Sequence, residues 1–194
     1  MGKVRVHMSM SLDGFVTGPN VSLDDPMGVD GERLHEWMFD PHGDPRDAEV
    51  AAEMYSTRTT GAVIMGRRTF DVGEDPWGED GTFQLPCFVV THRSAENVVK
   101  GSTSFTFVTD GIRGALARAQ AIAGDRAVNV MGAETTRQFL HERLLDEIHL
   151  NLVPVLLGGG TRLFEPLGTA RVELERTRIV ESPAVTHITY RIRK

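Results

Sequence analysis

Ala62-Val63-Ile64-Met65-Gly66-Arg67-Arg68-Thr69-Phe70 is the stretch that decides the fold class. Four consecutive apolar residues are too few for a buried helix and show no alternation, which reads as a strand covered on both faces. Gly66 ends it, and the chain passes at once into what reads as a first helical turn. Two further passages repeat the design. Pro86-Cys87-Phe88-Val89-Val90 runs into Thr91-His92-Arg93, and Ala127-Val128-Asn129-Val130-Met131 runs into Gly132-Ala133-Glu134-Thr135 and a helix through Leu140. Strands buried on both faces and followed by helices belong to a parallel sheet sandwiched between helical layers.

Outward from these passages, residues 4–11 alternate Val and Met with Arg, His and Ser and read as a first strand, which ends in a glycine-punctuated loop. Asp30 is the expected N-cap of a short helix bearing Leu34, Trp37 and Met38, and Asp44-Pro45 opens a second with Val50, Ala51 and Met54 inward. Residues 71–85 read as a loop, 105–108 as a strand, and Asp110 as the cap of a helix with Ile112, Leu116, Ala119 and Ile122 inward, stopped by Gly124. A strand over 147–155 precedes Gly158-Gly159-Gly160. Residues 172–180 and 185–192 read as an antiparallel hairpin. The expected fold is α/β: a mostly parallel twisted sheet, helices on both faces, and an antiparallel C-terminal edge. Residues 1–194 form one domain, with no repeat or linker.

A single domain of 194 residues buries roughly 70% of its unfolded surface and needs no disulfide or metal staple. Lys and Arg total 21 against 27 Asp and Glu, a net charge of −6, so nucleic acid is not an expected partner. The lone Cys87 reads as a small core residue. No run approaches a membrane span, and the N-terminus has no apolar signal core, so the expected location is the cytoplasm and no membrane is involved.

Ligands of open α/β sheets bind beyond the carboxyl ends of the strands. A glycine followed by a helix N-terminus offers free N–H groups and a dipole to an anion, and arginine adds a donor fork. One such turn is ordinary punctuation. Three, two of them with arginine, point to a phosphate-rich nucleotide cofactor. Neither G-x-G-x-x-G after the first strand nor a P-loop is present. Gly158-Gly159-Gly160-Thr161-Arg162 is either a wall of the site or a plain turn. The seven histidines contain no zinc-protease spacing, and no serine sits in G-x-S-x-G.

Four segments together carry a family resemblance: S-L-D-G-F-V-T-G at 11–18, V-I-M-G-R-R-T-F at 63–70, G-A-E-T-T-R-Q-F-L at 132–140 and D-E-I-H-L-N-L-V-P-V-L-L-G-G-G-T-R-L-F-E at 146–165. They resemble the dihydrofolate-reductase-like superfamily, specifically stand-alone relatives of the C-terminal reductase domain of the bifunctional riboflavin-biosynthesis deaminase/reductase. The resemblance covers roughly residues 3–193. It implies a three-layer dihydrofolate-reductase-like fold binding NADPH. Gly66, Arg67, Arg68 and Thr69 would hold the cofactor phosphates. Thr91, His92 and Arg93 would take the adenosine and 2′-phosphate, and Gly132, Ala133, Glu134 and Thr135 the pyrophosphate. Ser9, Val16 and Gly18 would border the nicotinamide.

The substrate would lie between the first loop, the helix at 30–39 and the segment 156–164, touching Asp13, Trp37, Leu157, Gly158 and Gly159. Two departures stand out. Met131 occupies the place of the first of two glycines usual before the alanine. The acidic residue that dihydrofolate reductases use beside the pterin has no clear counterpart: Glu32 and Glu36 are near it or are the solvated side of a helix. Asp13 and Glu36 are the catalytic candidates, Asp13 being equally a loop cap. A deaminase needs H-x-E and C-x-x-C, which one cysteine cannot supply.

The expected activity is NADPH-dependent hydride transfer to a small heterocyclic or carbonyl/imine substrate. The alternatives are 5-amino-6-(5-phosphoribosylamino)uracil reductase of riboflavin biosynthesis, and an NADP(H)-binding module or sensor without turnover. Alternating Val172, Leu174, Ile188, Tyr190 and Ile192 at the sheet edge suggest a homodimer, with packing against the 147–155 strand as the competing explanation.

Overall fold

The computed structural model describes residues 2–54, 56–165 and 171–194. Its frame is a nine-stranded sheet. In chain order the strands and helices are β1 (Val4–Ser11), β2 (Phe15–Thr17), α1 (Glu36–Phe39), α2 (Pro45–Met54), β3 (Thr60–Gly66), α3 (Arg67–Gly73), β4 (Pro86–Val90), β5 (Val98–Lys100), β6 (Thr103–Val108), α4 (Gly111–Ala123), β7 (Ala127–Met131), α5 (Ala133–His141), β8 (Glu147–Val153), β9 (Thr161–Arg162), β10 (Glu173–Glu181) and β11 (Thr186–Arg193). Across the sheet the order is β10-β11-β8-β1-β7-β3-β4-β6-β5. The pairings from β8 through β6 are parallel, and β10, β11 and β5 join antiparallel. The short pair β2–β9 lies outside this sheet.

Alternation along β3 and β4 explains why their sequences are apolar without a break. Ala62, Ile64 and Phe88 pack in one core with Ala115, Leu116 and Ala119 of α4 and Phe139 and Leu140 of α5. Val63, Met65, Cys87 and Val89 face the other way, against Phe70 of α3 and Phe83 and Leu85 of the following segment. A third core, Leu34, Trp37, Val153 and Val185, seats α1 beside the end of β8. Cys87 is fully buried, as a small core residue would be.

Several local expectations change. Asp30 takes a left-handed conformation (φ 59°) without capping through its side chain, and the expected helix divides into a 3-10 turn, Gly31–Leu34, and the single turn α1. Asp110 precedes α4, but its carboxylate binds Arg118 at 2.8 and 3.0 Å rather than the first amides. Ile122 is 51% exposed; Ala123 faces inward instead. A Cβ on Gly61 would lie 2.5 Å from the Ala123 Cα, so helix and strand touch at backbone distance and only small residues fit there. β5 was not legible, being three residues long and exposed in its middle. β11 pairs with β8, so at the C-terminal side the free edge is β10, where Leu174 and Ile179 are each 43% exposed.

Candidate active site

β3 and β7 lie side by side with Met65 opposite Met131, so Gly66 and Gly132 leave the sheet at the same level. The helices they open interlock reciprocally. A Cβ on Gly132 would lie 2.3 Å from Thr69 Oγ1 of α3, and one on Gly66 would lie 2.9 Å from Thr135 Oγ1 of α5. The third residue of each helix thus covers the glycine of the other. Gly132 also needs its φ of 89°, which side chains rarely adopt. Neither helix has a side-chain cap. The first turns of both helices therefore lie together at the strand ends, without side-chain caps, a cradle suited to a diphosphate.

Arg67 is aimed from this cradle toward β6. Its Nε donates to Asp71 Oδ1 at 2.6 Å, and its guanidinium carbon lies 5.3 Å from the Phe107 ring centroid. Both Nη groups are without partners among the described residues. Thr91 is buried at the end of β4, its backbone N–H donating to Val108 O, and its hydroxyl accepts the Arg93 N–H in a tight turn that leaves His92 and Arg93 exposed. Arg68 reaches over to the first loop and donates to Val21 O at 3.4 Å. Glu134 is turned outward, bound to Arg137 at 2.7 Å and to Gln138 at 3.2 Å. Its carboxylate does not join the cradle, while Ala133 is buried beneath it.

The first loop is fastened by Asp13. Its carboxylate accepts the Ser11 hydroxyl at 2.6 Å, Leu157 N–H at 3.1 Å and Gly158 N–H at 2.8 Å. The Ser11 hydroxyl and these amides hold its pKa below the ordinary carboxylate range, which favours the ionised form. Of the two roles open to Asp13, the structure places it as a strap between the first loop and the glycine run. Arg162 completes the strap, donating to Asp13 O and lying 4.4 Å from the Phe15 ring centroid. The glycine run is therefore fastened to the first loop at Leu157, Gly158 and Arg162. Gly18 is packed so closely that a Cβ would lie 1.8 Å from Val29 O, and Val16 is buried in the core, so only its backbone can border a ligand.

Trp37 and Leu157 line two adjoining hollows. Leu157 lines an outer recess of about 540 Å³ with Asp30, Arg33 and Glu36. Trp37 lines a cleft of about 1450 Å³ that lies between α1 and α2 on one side and the segment 76–84 on the other. Its walls include Phe39, Trp77, Phe83 and Met131. Residues 76–84 oppose the helix at 30–39 across this cleft, which adjoins the recess at Leu157 along Glu32, Arg33 and Glu36. Glu36, the other catalytic candidate, is exposed and ion-paired with Arg33 at 2.8 Å.

Behind Trp37 lies a buried polar chain that sequence reasoning did not find. Trp37 Nε1 donates to Leu34 O at 3.0 Å and to Ser9 Oγ at 3.3 Å; Asn151 Nδ2 reaches the same hydroxyl. Asn151 Oδ1 is 2.8 Å from His187 Nδ1, and His187 Nε2 is 3.0 Å from Asp47, which also accepts Ser182 Oγ. The His187 ring meets Trp37 edge-on at 4.8 Å. Ser9 thus fixes the indole from inside the sheet; at 2% exposure it is itself behind the site. These residues sit on β1, α1, α2, β8 and β11, with no spacing that could have linked them.

A parallel-centred sheet with paired helix N-termini at its strand ends, and a cleft on one face beside them, defines the dihydrofolate-reductase-like class. The chain belongs to the RibD C-terminal domain family, which matches residues 2–188; it is a family of reductases. Among relatives, the uncharacterized protein YwjB of Bacillus subtilis (strain 168) is 26% identical over 172 residues, spanning 85% of this chain and 84% of that one. The fold is shared with a putative riboflavin biosynthesis protein from Shewanella sp. PV-4 (TM-score 0.77, 22% identity, 99% of each chain). It is also shared with a pyrimidine reductase-like protein from Corynebacterium diphtheriae (0.60, 13%, 100% and 92%). Dihydrofolate reductase from Enterococcus faecalis, solved with NADP(H) and RAB-propyl, superposes at 0.63 with 14% identity over 100% and 98% of the chains. Among the described residues, no helix is long and apolar enough to cross a membrane.

Proposed function

We propose that this protein is an NADPH-dependent reductase that works in the cytoplasm on a small planar heterocycle or carbonyl/imine compound seated in the cleft beside Trp37. The observation that carries this reading is the interlocked pair Gly66–Thr135 and Gly132–Thr69, together with the open Nη groups of Arg67. When bound, the nicotinamide supplies a hydride. The chain supplies placement. The first-turn amides of α3 and α5 take the diphosphate, Arg67 takes the 2′-phosphate with Thr91, His92 and Arg93 beside it, and Trp37, Phe83 and Met131 sandwich the substrate. Asp13 is ionised and Glu36 is engaged with Arg33, so the proton that completes the reduction comes from water. The test is NADPH oxidation by the purified protein with dihydrofolate, the ribosylaminopyrimidine phosphate of the riboflavin route and simple carbonyls. Turnover of at least one is expected. NADPH binding with no turnover of any would favour a sensor instead.

The family match and the resemblance to a putative riboflavin biosynthesis protein favour one specific second reading, reduction of the ribosylaminopyrimidine phosphate. Formation of its ribityl product would establish that reading. We also propose a homodimer. β10 presents an unpaired edge with Leu174 and Ile179 half exposed, and such edges are commonly covered by a second copy. Light scattering at micromolar concentration should give twice the 21.4 kDa of one chain. A mass of one chain would overturn it.

A further inference from the structure

His35, between the 3-10 turn and α1, was not singled out by any motif, yet its ring has an unusual setting. Nδ1 is the one buried side-chain N or O atom, among the described residues, that has no hydrogen-bond partner. The same residue lines the 1450 Å³ cleft beside Trp37. No hydrogen bond to Nε2 is found among the described residues, and, unlike Nδ1, it is not one of the buried atoms left without a partner. Burial lowers the pKa of the ring, which favours the neutral form.

A neutral imidazole carries one N–H. Placed on Nδ1, that hydrogen would be buried with no acceptor, and orphaned buried N–H groups are rarer than under-used acceptors. Placed on Nε2, it faces the cleft, and only a lone pair is left against the protein. The ring is thus held as a directed donor. Its own backbone is tied down on both sides, His35 N–H donating to Glu32 O and His35 O accepting from Met38 N–H.

We propose that His35 is a substrate-reading hydrogen-bond donor, its Nε2–H addressing a carbonyl oxygen or ring nitrogen of the molecule in the cleft. This rests on the cleft being the substrate site. Glu32, Arg33, Glu36, Asp40 and Arg58 are the charged residues along the same cleft. None of them takes the place of a neutral donor facing the site from the base of α1. Donation to a neutral acceptor favours substrates with an unprotonated carbonyl or imine-type nitrogen over aliphatic amines.

Two measurements test it. Nitrogen–proton correlation spectra of the imidazoles, with His35 assigned by its loss in His35→Gln, should show the Nε2–H form in the free protein. A proton on Nδ1 overturns the proposal whatever the substrate proves to be. The second uses the ribosylaminopyrimidine phosphate and dihydrofolate as probes. Glutamine sets its amide N–H₂ near the place of Nε2, whereas asparagine sets it near that of Nδ1. For whichever probe turns over, His35→Asn and His35→Leu should raise KM about 3- to 10-fold with kcat nearly unchanged, while His35→Gln stays near wild type. Equal KM in all three variants, or equal loss in Gln and Asn, overturns the proposal. Failure of the wild type to bind either probe would instead count against the functional reading, and the ring spectrum would then decide the state of His35.

Discussion

Arg67→Ala is expected to bind NADPH roughly 10- to 150-fold more weakly than wild type while leaving NADH affinity nearly unchanged. A hydrogen bond to a charged group contributes about 1.5–3 kcal/mol, and only NADPH carries the 2′-phosphate that would receive it. Structure sharpens the choice between the two neighbouring arginines. Arg68 leans away to Val21 O on the first loop. Arg67 is held in place by Asp71 through Nε and by the face of Phe107, which leaves its Nη donors to act together without first ordering the side chain. The Asp71 carboxylate lowers the net charge at this point, yet it accepts through Nε only, so the fork remains available. A fluorescence titration of both proteins with both dinucleotides decides the matter. Equal wild-type affinity for the two, or an equal loss for both in the variant, would show that Arg67 does not read the 2′-phosphate.

What the sequence made legible was whatever depends on short range and on period. The strands β3, β4 and β7 are unbroken apolar runs because both faces are covered, and their ends carry glycines because another helix arrives there. Both signals are local. The interlock of Thr69 on Gly132 and of Thr135 on Gly66 explains why M-G-R-R-T and G-A-E-T-T share their glycine-to-threonine spacing. Glu134 was grouped with its neighbours by proximity in the chain. One residue of a helix turns by about 100°, enough to carry its side chain from the cradle to the outer surface.

The cleft was less legible, because its opposing walls come from residues 30–39 and 76–84, and the latter have no periodic pattern. Polarity left Asp13 open between two roles and misled at Asp30, which caps nothing through its side chain. An aspartate beside a glycine turn can cap, strap or catalyse, and only the location of Leu157 and Gly158, far along the chain, makes Asp13 a strap. The chain from Trp37 through Ser9, Asn151 and His187 to Asp47 is assembled from five separate places in the sequence. Cross-strand register brings Ser9, Asn151 and His187 into one row, which no single-strand pattern reveals.

That polar sheet face makes the fold sensitive to acid, and His7 should dominate the effect. His7 on β1 stands opposite His149 on β8, the rings 5.2 Å apart, and its Nε2 is 3.4 Å from Asn151 Oδ1. Burial, with His149 and Arg5 adding repulsion of a positive charge, pushes its pKa down from 6.5 to about 3. Above the unfolded value, neither state binds a proton there and His7 contributes nothing to pH dependence. Between the two values the unfolded chain takes up a proton that the native ring refuses, so stability falls as pH falls, by about 1.4 kcal/mol per unit. At about pH 5 His7 alone should have cost about 2 kcal/mol relative to neutral pH. His35, His149 and His187 are shifted in the same direction and steepen the loss. Urea unfolding of wild type and His7→Gln at several pH values between about 7 and 5 measures the difference. Glutamine keeps an amide for Asn151 and does not titrate, so the variant should lose stability with a slope shallower by close to one proton. Parallel slopes for the two proteins would mean that the His7 ring is protonated as readily in the folded state as in the unfolded one.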